Sequence, residues 1–236
     1  MCGIIAAATE KSVGKLLVQG LYKMEYRGYD SAGVALHQID DIAHLRSLGK
    51  VKKLESKMVK EKPKGKIGIA HTRWATHGKP SEKNAHPHVS NNRVFIVHNG
   101  IIENYVALKE QLIKKGYQFN SQTDSELIAH QLDFFLNQGS EMLEAMSLLK
   151  EKLEGAYAVA AIDLKNESHF YLMRNKSPLL LGQSDSGMFA ASDPLALADL
   201  TNEFVFLEDG DVAEVSAKEY KILDKNQKRA IRKITT

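Results

Sequence analysis

Cysteine is almost absent from this sequence, because Cys2 is the only one among 236 residues. A single thiol excludes an internal disulfide, so nothing favours an oxidising compartment. The sequence also lacks the apolar run of ~20 residues that a membrane span needs. It lacks the basic, apolar and small-residue segments of a secretory signal as well. We therefore expect a cytoplasmic protein without a membrane partner.

An excess of charge of one sign is missing too. The 32 Lys and Arg residues nearly balance the 29 Asp and Glu residues, and the formal net charge of +3 is too small to indicate a nucleic-acid partner. The lysine-rich segment 50–66 also contains Glu55 and Glu61, which is typical of a solvated surface segment. A composition of 43% hydrophobic and 26% charged residues is that of an ordinary globular domain.

The hydrophobic pattern predicts many short strands and fewer, longer helices. The strands follow one another in hairpin-like order, with turn dipeptides such as Ser186-Gly187 and Asp209-Gly210. This order favours an α+β fold with mostly antiparallel sheets. The predicted strands are 2–8, 31–38, 66–72, 93–99, 156–163, 169–175, 179–183, 187–192, 203–208, 211–216 and 220–225, and the predicted helices are 11–26, 104–116, 124–139, 142–155 and a short one around 195–200.

Common catalytic and ligand-binding motifs are also missing. The sequence has no G-x-S-x-G serine turn, no glycine-rich nucleotide-binding loop and no His-Glu-x-x-His helix. Five of the nine histidines nevertheless lie between His71 and His98, and His86-Pro87-His88 could clip a metal ion. Hydrogen bonding of these histidines within a loop is the simpler interpretation, so we expect neither a metal nor a cofactor.

Cys2 is the best remaining candidate for a nucleophile. A thiol needs a base to become a thiolate near neutral pH. If Met1 is removed, the α-amine of Cys2 itself, with an ordinary pKa of about 7.7–8.0, can take the proton. Gly3 would leave room for a substrate. The alternative is a cysteine buried in a strand as a small hydrophobic residue, and these residues do not decide between the two.

Six motifs follow one another along the chain. They are MCGIIA at the start, EYRGYDSAG at 25–33, HTRWATHG at 71–78, NAHPH at 84–88, HNGIIEN at 98–104 and TDSE at 123–126. Together they resemble the class II glutamine amidotransferases, and most closely the glutaminase domain of the glucosamine-6-phosphate synthases. RGYDSAG with HTRWATHG separates this branch from the asparagine synthetase and phosphoribosyl amidotransferase relatives, which share the CGI start. The similarity continues through SPLLLGQ, AASDPLAL and FLEDGDVAEV.

The resemblance implies an N-terminal-nucleophile αββα sandwich, in which two mostly antiparallel sheets stack between helical layers. It implies that residues 2–236 form one glutaminase domain. Sugar isomerase domains, absent from this chain, would complete the enzyme. The full-length protein would be a homo-oligomer.

The resemblance also implies a reaction. After removal of Met1, the Cys2 thiolate would attack the side-chain amide of L-glutamine, with its own amine as base and then as acid toward ammonia. Water would hydrolyse the γ-glutamyl thioester to L-glutamate. The ammonia would pass to the isomerase domains, which make glucosamine 6-phosphate from fructose 6-phosphate. A non-catalytic glutamine-binding or regulatory module and a metal-dependent hydrolase using the histidines are the alternatives.

Roles near the nucleophile are likewise implied by the resemblance. The Asn99 side-chain amide and the Gly100 backbone N–H would form the oxyanion hole, as two neutral donors aimed at developing charge. Arg27 would orient the terminus, although it could also be a surface ion-pair partner. Trp74 would gate the passage of ammonia.

The substrate carboxylate and ammonium need partners as well. Arg73 would bind the carboxylate, since a guanidinium can do so bidentately. Thr76 and His77 would lie beside it, and His77 would serve as a structural or backbone-binding residue rather than a proton shuttle. Asp124 would bind the ammonium, and it could also be a helix N-cap.

Overall fold

The computed structural model describes residues 2–74 and 78–236 of the chain. The strands in these residues are β1 (Gly3–Thr9), β2 (Ser31–His37), β3 (Ile42–Leu48), β4 (Ile67–Arg73), β5 (His88–Ser90), β6 (Val94–Ile102), β7 (Gly155–Asp163), β8 (Phe170–Asn175), β9 (Leu180–Ser184), β10 (Gly187–Ala191), β11 (Glu203–Phe206), β12 (Val212–Val215), β13 (Tyr220–Leu223), β14 (Arg229–Ala230) and β15 (Ile234–Thr235). The α-helices are α1 (Gly14–Met24), α2 (Val51–Glu61), α3 (Tyr105–Lys114), α4 (Glu126–Asn137) and α5 (Met142–Lys150), and short 3-10 helices span Glu25–Arg27, Glu82–Asn84 and Pro194–Leu197.

The strands build two sheets whose paired strands run antiparallel. Within the described ranges, the first sheet has eight strands in the order β15-β11-β9-β10-β1-β4-β2-β3. The second has seven, in the order β14-β13-β12-β8-β7-β6-β5. The amino-terminal strand β1 therefore lies in the interior of its sheet, between β4 and β10.

The two sheets stack face to face, and helices cover their outer faces. Ile4 and Ala6 of β1 belong to the core between the sheets, together with Phe95 and Val97 of β6. A second core joins the outer face of the first sheet to α1 and α2. A third joins the outer face of the second sheet to α3, α4 and α5. The layer order is therefore αββα.

Burial on both faces explains why β1 is a continuous run of small and branched apolar residues. The side chain of Ile5 projects toward α1, where a Cβ at Gly20 would lie 2.1 Å from Ile5 Cδ1. A Cβ at Gly3 would lie 2.8 Å from Thr72 Oγ1. Glycines at these two points let the helix and the neighbouring strand approach β1 closely, and β1 is fixed from both sides.

The structure adds elements that the sequence pattern missed. β3 is an edge strand, and several of its side chains are half-exposed, so its apolar alternation is weak. The segment 50–66 does expose its lysines, but most of it is the helix α2, which buries Val51 and Leu54. No α-helix in residues 2–74 and 78–236 is long and apolar enough to cross a membrane.

Candidate active site

A cavity of about 500 Å³ opens at the beginning of β1. Seven of the nine residues that the sequence predicts for the site line it: Cys2, Arg27, Arg73, Trp74, Asn99, Gly100 and Asp124. The other two, Thr76 and His77, lie outside the described residues, as does Met1. A larger cavity of about 740 Å³ lies at the other end of β1, near Thr9 and His37, and it contains none of these side chains.

Strand pairing brings the nucleophile to the motif HTRWATHG. Gly3 pairs with Thr72 in the β1–β4 ladder, so Cys2 lies beside the residues that end β4. The Trp74 backbone N–H donates to Cys2 Sγ at 3.2 Å, and the thiol lies 3.5 Å from the Trp74 carbonyl oxygen. The position of the sulfur is therefore set by backbone groups rather than by a histidine side chain.

The surroundings of Cys2 favour the protonated thiol. Burial raises the pKa of the Cys2 thiol above its ordinary value, and the hydrogen bond from the Trp74 N–H and the charge of Arg73 offset this only in part. A raised pKa leaves little thiolate at neutral pH. A base must therefore remove the proton before Cys2 can act as a nucleophile.

Asn99 and Gly100 reach the cavity from β6 of the second sheet. The Asn99 Nδ2 donates to the Cys2 carbonyl oxygen at 3.2 Å, so the amide group lies next to the nucleophile. Gly100 has φ +125°, and a Cβ there would lie 1.9 Å from the Ala156 carbonyl oxygen. Both the dihedral angle and the close approach of β7 require glycine at this position.

Two groups of opposite charge lie in the cavity wall. Arg73 is buried, with Nη1 3.6 Å from Asp30 Oδ1 and Nη2 donating to the Gly78 carbonyl oxygen at 3.2 Å. Asp124 is also buried, and its Oδ2 accepts a hydrogen bond from the Ile102 N–H at 2.8 Å. The prediction of Asp124 as a helix N-cap is wrong. α4 begins two residues later at Glu126, after Ser125 as its N-cap, and one oxygen of the Asp124 carboxylate accepts instead from Ile102 at the end of β6.

Arg27 is placed by an ion pair. Its Nη1 lies 3.2 Å from Asp193 Oδ2, which also accepts a hydrogen bond from the Tyr26 hydroxyl at 2.9 Å. The Arg27 side chain is only 10% exposed. The interpretation of Arg27 as an ion-pair partner is therefore right, but the interpretation of that pair as a surface feature is wrong, because both side chains are largely buried and Arg27 lines the cavity.

Trp74 lies at the mouth of the cavity and is 53% exposed. Its ring packs over Gly28, where a Cβ would lie 2.4 Å from Trp74 Cε3. Gly28 also has φ +101°, so both the backbone conformation and the contact with the indole exclude a side chain at this position. This contact holds the indole beside the nucleophile.

The histidines of the central motifs form a buried cluster. The rings of His71 and His86 are 4.1 Å apart, and those of His86 and His88 are 4.6 Å apart. Burial lowers the pKa values of His71 and His88 to about 3, and that of His86 well below its ordinary value. Hydrogen bonding explains these residues, as expected, but only His86 lies in a loop, because His71 belongs to β4 and His88 to β5. Residues 2–74 and 78–236 contain no group of three or more metal-ligating side chains able to hold an ion.

Apart from the metal site considered for the histidines, sequence reasoning did not assign a site role to eight further residues that line the cavity. Their signal was their place in the quoted motifs NAHPH, HNGIIEN, TDSE, SPLLLGQ and AASDPLAL. They are His86, His98, Ile101, Thr123, Ser125, Ser177, Pro178 and Ser192.

Glu126 holds the loop that carries Asp124. Its carboxylate accepts hydrogen bonds from the Ser121 N–H and hydroxyl, both at 2.7 Å, and from the Asn120 N–H at 2.9 Å. Burial alone would raise the pKa of Glu126, but the His130 ring, whose Nε2 lies 3.6 Å from Oε1, and the hydrogen bonds from Asn120 and Ser121 lower it to about 2. The charged carboxylate is therefore a stabilising group of the folded state.

We expect Glu126→Gln to lower the free energy of unfolding by about 1–3 kcal/mol at pH 7, since charge-assisted hydrogen bonds are lost. The folded pKa lies below the unfolded value, so this stabilisation is present above about pH 4.5 and is lost as the pH falls toward 2. Urea unfolding of both proteins at pH 7 and pH 3 measures the difference. The exposed Glu144→Gln serves as the matched control, and a deficit that does not shrink at low pH would contradict the assignment.

Comparison with known proteins identifies the class. Residues 71–199 match the family model described as glutamine amidotransferase domain, which is more than half of the chain. The chain therefore belongs to the glutamine amidotransferase domain family.

Solved structures show the same fold. Glutamine phosphoribosylpyrophosphate amidotransferase from B. subtilis superposes with a TM-score of 0.82 at 22% identity, covering 97% of this chain and 50% of that one. A glutamine aminotransferase class-II domain protein from Silicibacter pomeroyi has a TM-score of 0.62 at 14% identity, covering 94% and 99%. The predicted α+β fold, the N-terminal-nucleophile αββα sandwich, is confirmed.

Curated relatives are more similar in sequence. The chain is 46% identical over 236 residues to glutamine–fructose-6-phosphate aminotransferase (isomerizing) of Vibrio parahaemolyticus, which covers all of this chain. It is also 46% identical over 236 residues to the protein of that name from Haemophilus influenzae, which covers 99% of this chain. The chain spans 38% of the length of each of these relatives. The predicted resemblance is confirmed.

Proposed function

We propose that the chain hydrolyses L-glutamine to L-glutamate and ammonia through a thioester on Cys2. The observation that carries this proposal is one cavity that contains the only cysteine, an amide donor at Asn99 and the oppositely charged Arg73 and Asp124. Glutamine has a carboxylate and an ammonium at one end and a neutral amide at the other. Membership in the glutamine amidotransferase domain family supports the same substrate.

The charged groups would orient the substrate. Arg73 can bind the α-carboxylate through two parallel N–H donors, and Asp124 can bind the α-ammonium with the oxygen that does not accept from Ile102. Thr76 and His77 are proposed to assist Arg73. With that end held, the side-chain amide of glutamine extends toward Cys2 and Asn99, so the reaction becomes effectively unimolecular.

The first half of the reaction forms the thioester. The α-amine of Cys2, free once Met1 is removed, takes the thiol proton, and Sγ bonds to the amide carbon. The carbonyl oxygen becomes an oxyanion that accepts hydrogen bonds from Asn99 Nδ2 and the Gly100 N–H. When the tetrahedral intermediate collapses, the C–N bond breaks and the Cys2 ammonium gives its proton to the departing ammonia. Arg27 would help hold the terminus in place.

The second half returns the enzyme to its starting state. A water molecule gives a proton to the Cys2 amine as its oxygen bonds to the thioester carbon. The same two donors hold the new oxyanion. Collapse breaks the C–S bond, and the thiolate takes the proton back from the amine. The γ-carboxylic acid that is released then gives its proton to ammonia, so the products at neutral pH are L-glutamate and ammonium.

Three measurements on the full chain test this proposal. Intact mass shows whether Cys2 is the first residue, a coupled assay follows glutamate release, and an electrophilic glutamine analogue followed by peptide mapping locates the nucleophile. We expect turnover and label on Cys2. Saturable glutamine binding without turnover or label would instead indicate a non-catalytic glutamine-binding module. Turnover that requires added metal would indicate the metal-dependent hydrolase.

The wider role follows from the names of the relatives. We propose that residues 2–236 are the glutaminase unit of an enzyme whose isomerase domains use ammonia to convert fructose 6-phosphate to glucosamine 6-phosphate, with Trp74 gating its passage. Relatives called glutamine–fructose-6-phosphate aminotransferase support this, since the chain spans 38% of their length. We also predict that the full-length protein is cytoplasmic, forms a homo-oligomer and binds neither nucleic acid nor membranes.

Asp124→Asn tests the orientation of the substrate. We expect KM for glutamine to rise by about 10- to 100-fold, because a charge-assisted hydrogen bond to the ammonium is lost. The kcat at saturation should change much less, since the reacting atoms are not touched. Steady-state kinetics measure both, and an asparagine oxygen can still accept from the Ile102 N–H. A fall in kcat at unchanged KM would contradict the assigned role.

A further inference from the structure

A chain of hydrogen bonds through two buried histidines ends on the Asn99 side chain. We propose that this chain fixes which end of the Asn99 amide faces Cys2. His71 and His86 are then positioning residues of the oxyanion hole. The inference rests on the proposed function only in its catalytic consequence, because the hydrogen bonds themselves can be tested without turnover.

The series of hydrogen bonds starts at a group that can act only as a donor. The backbone N–H of His98 can only donate, and it points at His86 Nδ1 at 3.4 Å. His86 Nδ1 must therefore carry a lone pair, so the proton of the neutral His86 ring is on Nε2.

The next contact transfers this constraint to a second ring. His86 Nδ1 lies 3.2 Å from His71 Nε2. Two unprotonated nitrogens at this distance would set lone pair against lone pair, so His71 Nε2 holds a proton. Both residues are buried, with 0% of His71 and 4% of His86 exposed, so their hydrogen-bond partners are protein groups.

The last contact reaches the oxyanion donor. His71 Nε2 lies 2.9 Å from Asn99 Oδ1, which therefore accepts. The NH2 end of the same amide is turned to the nucleophile, where Nδ2 donates to the Cys2 carbonyl oxygen at 3.2 Å. A reversed amide would oppose its carbonyl oxygen to the oxyanion, and repulsion would replace stabilisation.

The backbone holds both histidines in place. His71 lies in β4, where it pairs with Ile4 of β1 on one side and Gly33 of β2 on the other. A Cβ at Gly33 would lie 2.1 Å from the His86 carbonyl oxygen. Gly33, the last residue of the motif RGYDSAG, thus lets the segment around His86 lie directly on β2. This contact brings the His86 ring to His71.

Kinetics of three variants test the catalytic consequence. His71→Met removes the donor, and we expect kcat for glutamine hydrolysis to fall by roughly 10²-fold, near the loss of one oxyanion donor, while KM changes less than about threefold. His71→Gln places an amide N–H near the same point and should recover most of kcat. His37→Gln, at a histidine equally buried but bonded to the Gln38 and Leu164 carbonyl oxygens, is the matched control and should leave kcat unchanged.

A double-mutant cycle separates positioning from a merely structural role. In an Asn99→Ala background, His71→Met should lower kcat by less than about threefold, because its effect acts through the missing amide. Additive losses, or a His71→Met variant with unchanged kcat, would overturn the proposal.

Nitrogen-15 NMR of the wild-type imidazoles tests the hydrogen bonds directly, and it remains decisive if His71→Met does not fold. We expect His71 and His86 both as neutral rings protonated on Nε2. A His71 ring protonated on Nδ1 would overturn the proposal. Wild-type protein that shows these two rings but releases no glutamate would instead defeat the proposed function and leave the hydrogen-bond chain standing.

Discussion

Cys2→Ala should lower kcat for glutamine hydrolysis by roughly 10⁴-fold or more, the scale seen when a covalent nucleophile is removed. Cys2 is the only cysteine, so no second thiol can replace it. The same variant should lose all labelling by an electrophilic glutamine analogue. The coupled glutamate assay and intact-mass analysis measure the two effects.

The fold should survive this change. Cys2 precedes β1 and is only half-buried, so the shorter side chain leaves no closed void in the core. Glutamine should therefore still raise the melting temperature of Cys2→Ala, since Arg73 and Asp124 are intact. Full activity of the folded variant would remove Cys2 from the mechanism.

Asn99→Ala should lower kcat by about 10²–10³-fold, the usual loss when one oxyanion donor is removed. KM should change less than about threefold, because the Asn99 amide meets charge that develops only in the transition state. Steady-state kinetics over a range of glutamine concentrations separate the two constants.

Asn104→Ala offers the matched comparison within the same motif. Asn104 lies just before α3, and its side-chain amide donates to the Lys152 carbonyl oxygen. Asn104 does not line the cavity. We expect its kcat to be unchanged. Equal losses in both variants would mean that truncating the motif, rather than removing an oxyanion donor, causes the effect.

Local sequence pattern was enough for most elements of this fold. β1, β2, β4 and β7 are short apolar segments bounded by turn residues, and the prediction for each of these four strands lies within one residue of the observed bounds. β3 was not predicted, because an edge strand needs few apolar residues. α2 was missed because its buried face is only Val51 and Leu54 among lysines. The charged residues correctly indicated an exposed face, but they obscured the apolar spacing that indicates a helix.

The site depends on contacts that no local pattern contains. Cys2 meets Trp74 because β1 and β4 pair in one register, and it meets Asn99 because the second sheet stacks on the first. The resemblance to a family supplied these residues, whereas their geometry came from tertiary packing. The histidines illustrate the difference: their clustering suggested a loop or a metal site, and only the inward direction of His71 and His98 on two strands reveals a buried hydrogen-bonded group.

The interior position of β1 has a consequence for biosynthesis. β1 leaves the ribosome before the other strands of this chain, yet Ile5 pairs with Ala70 of β4 and Ala191 of β10, which follow much later. At about 5–20 residues per second, Ala191 appears roughly 10–40 s after Ile5. During that time the thiol has no complete site around it. A nascent chain thus carries its nucleophile long before it can hydrolyse anything, and a chain interrupted before β10 should never become active.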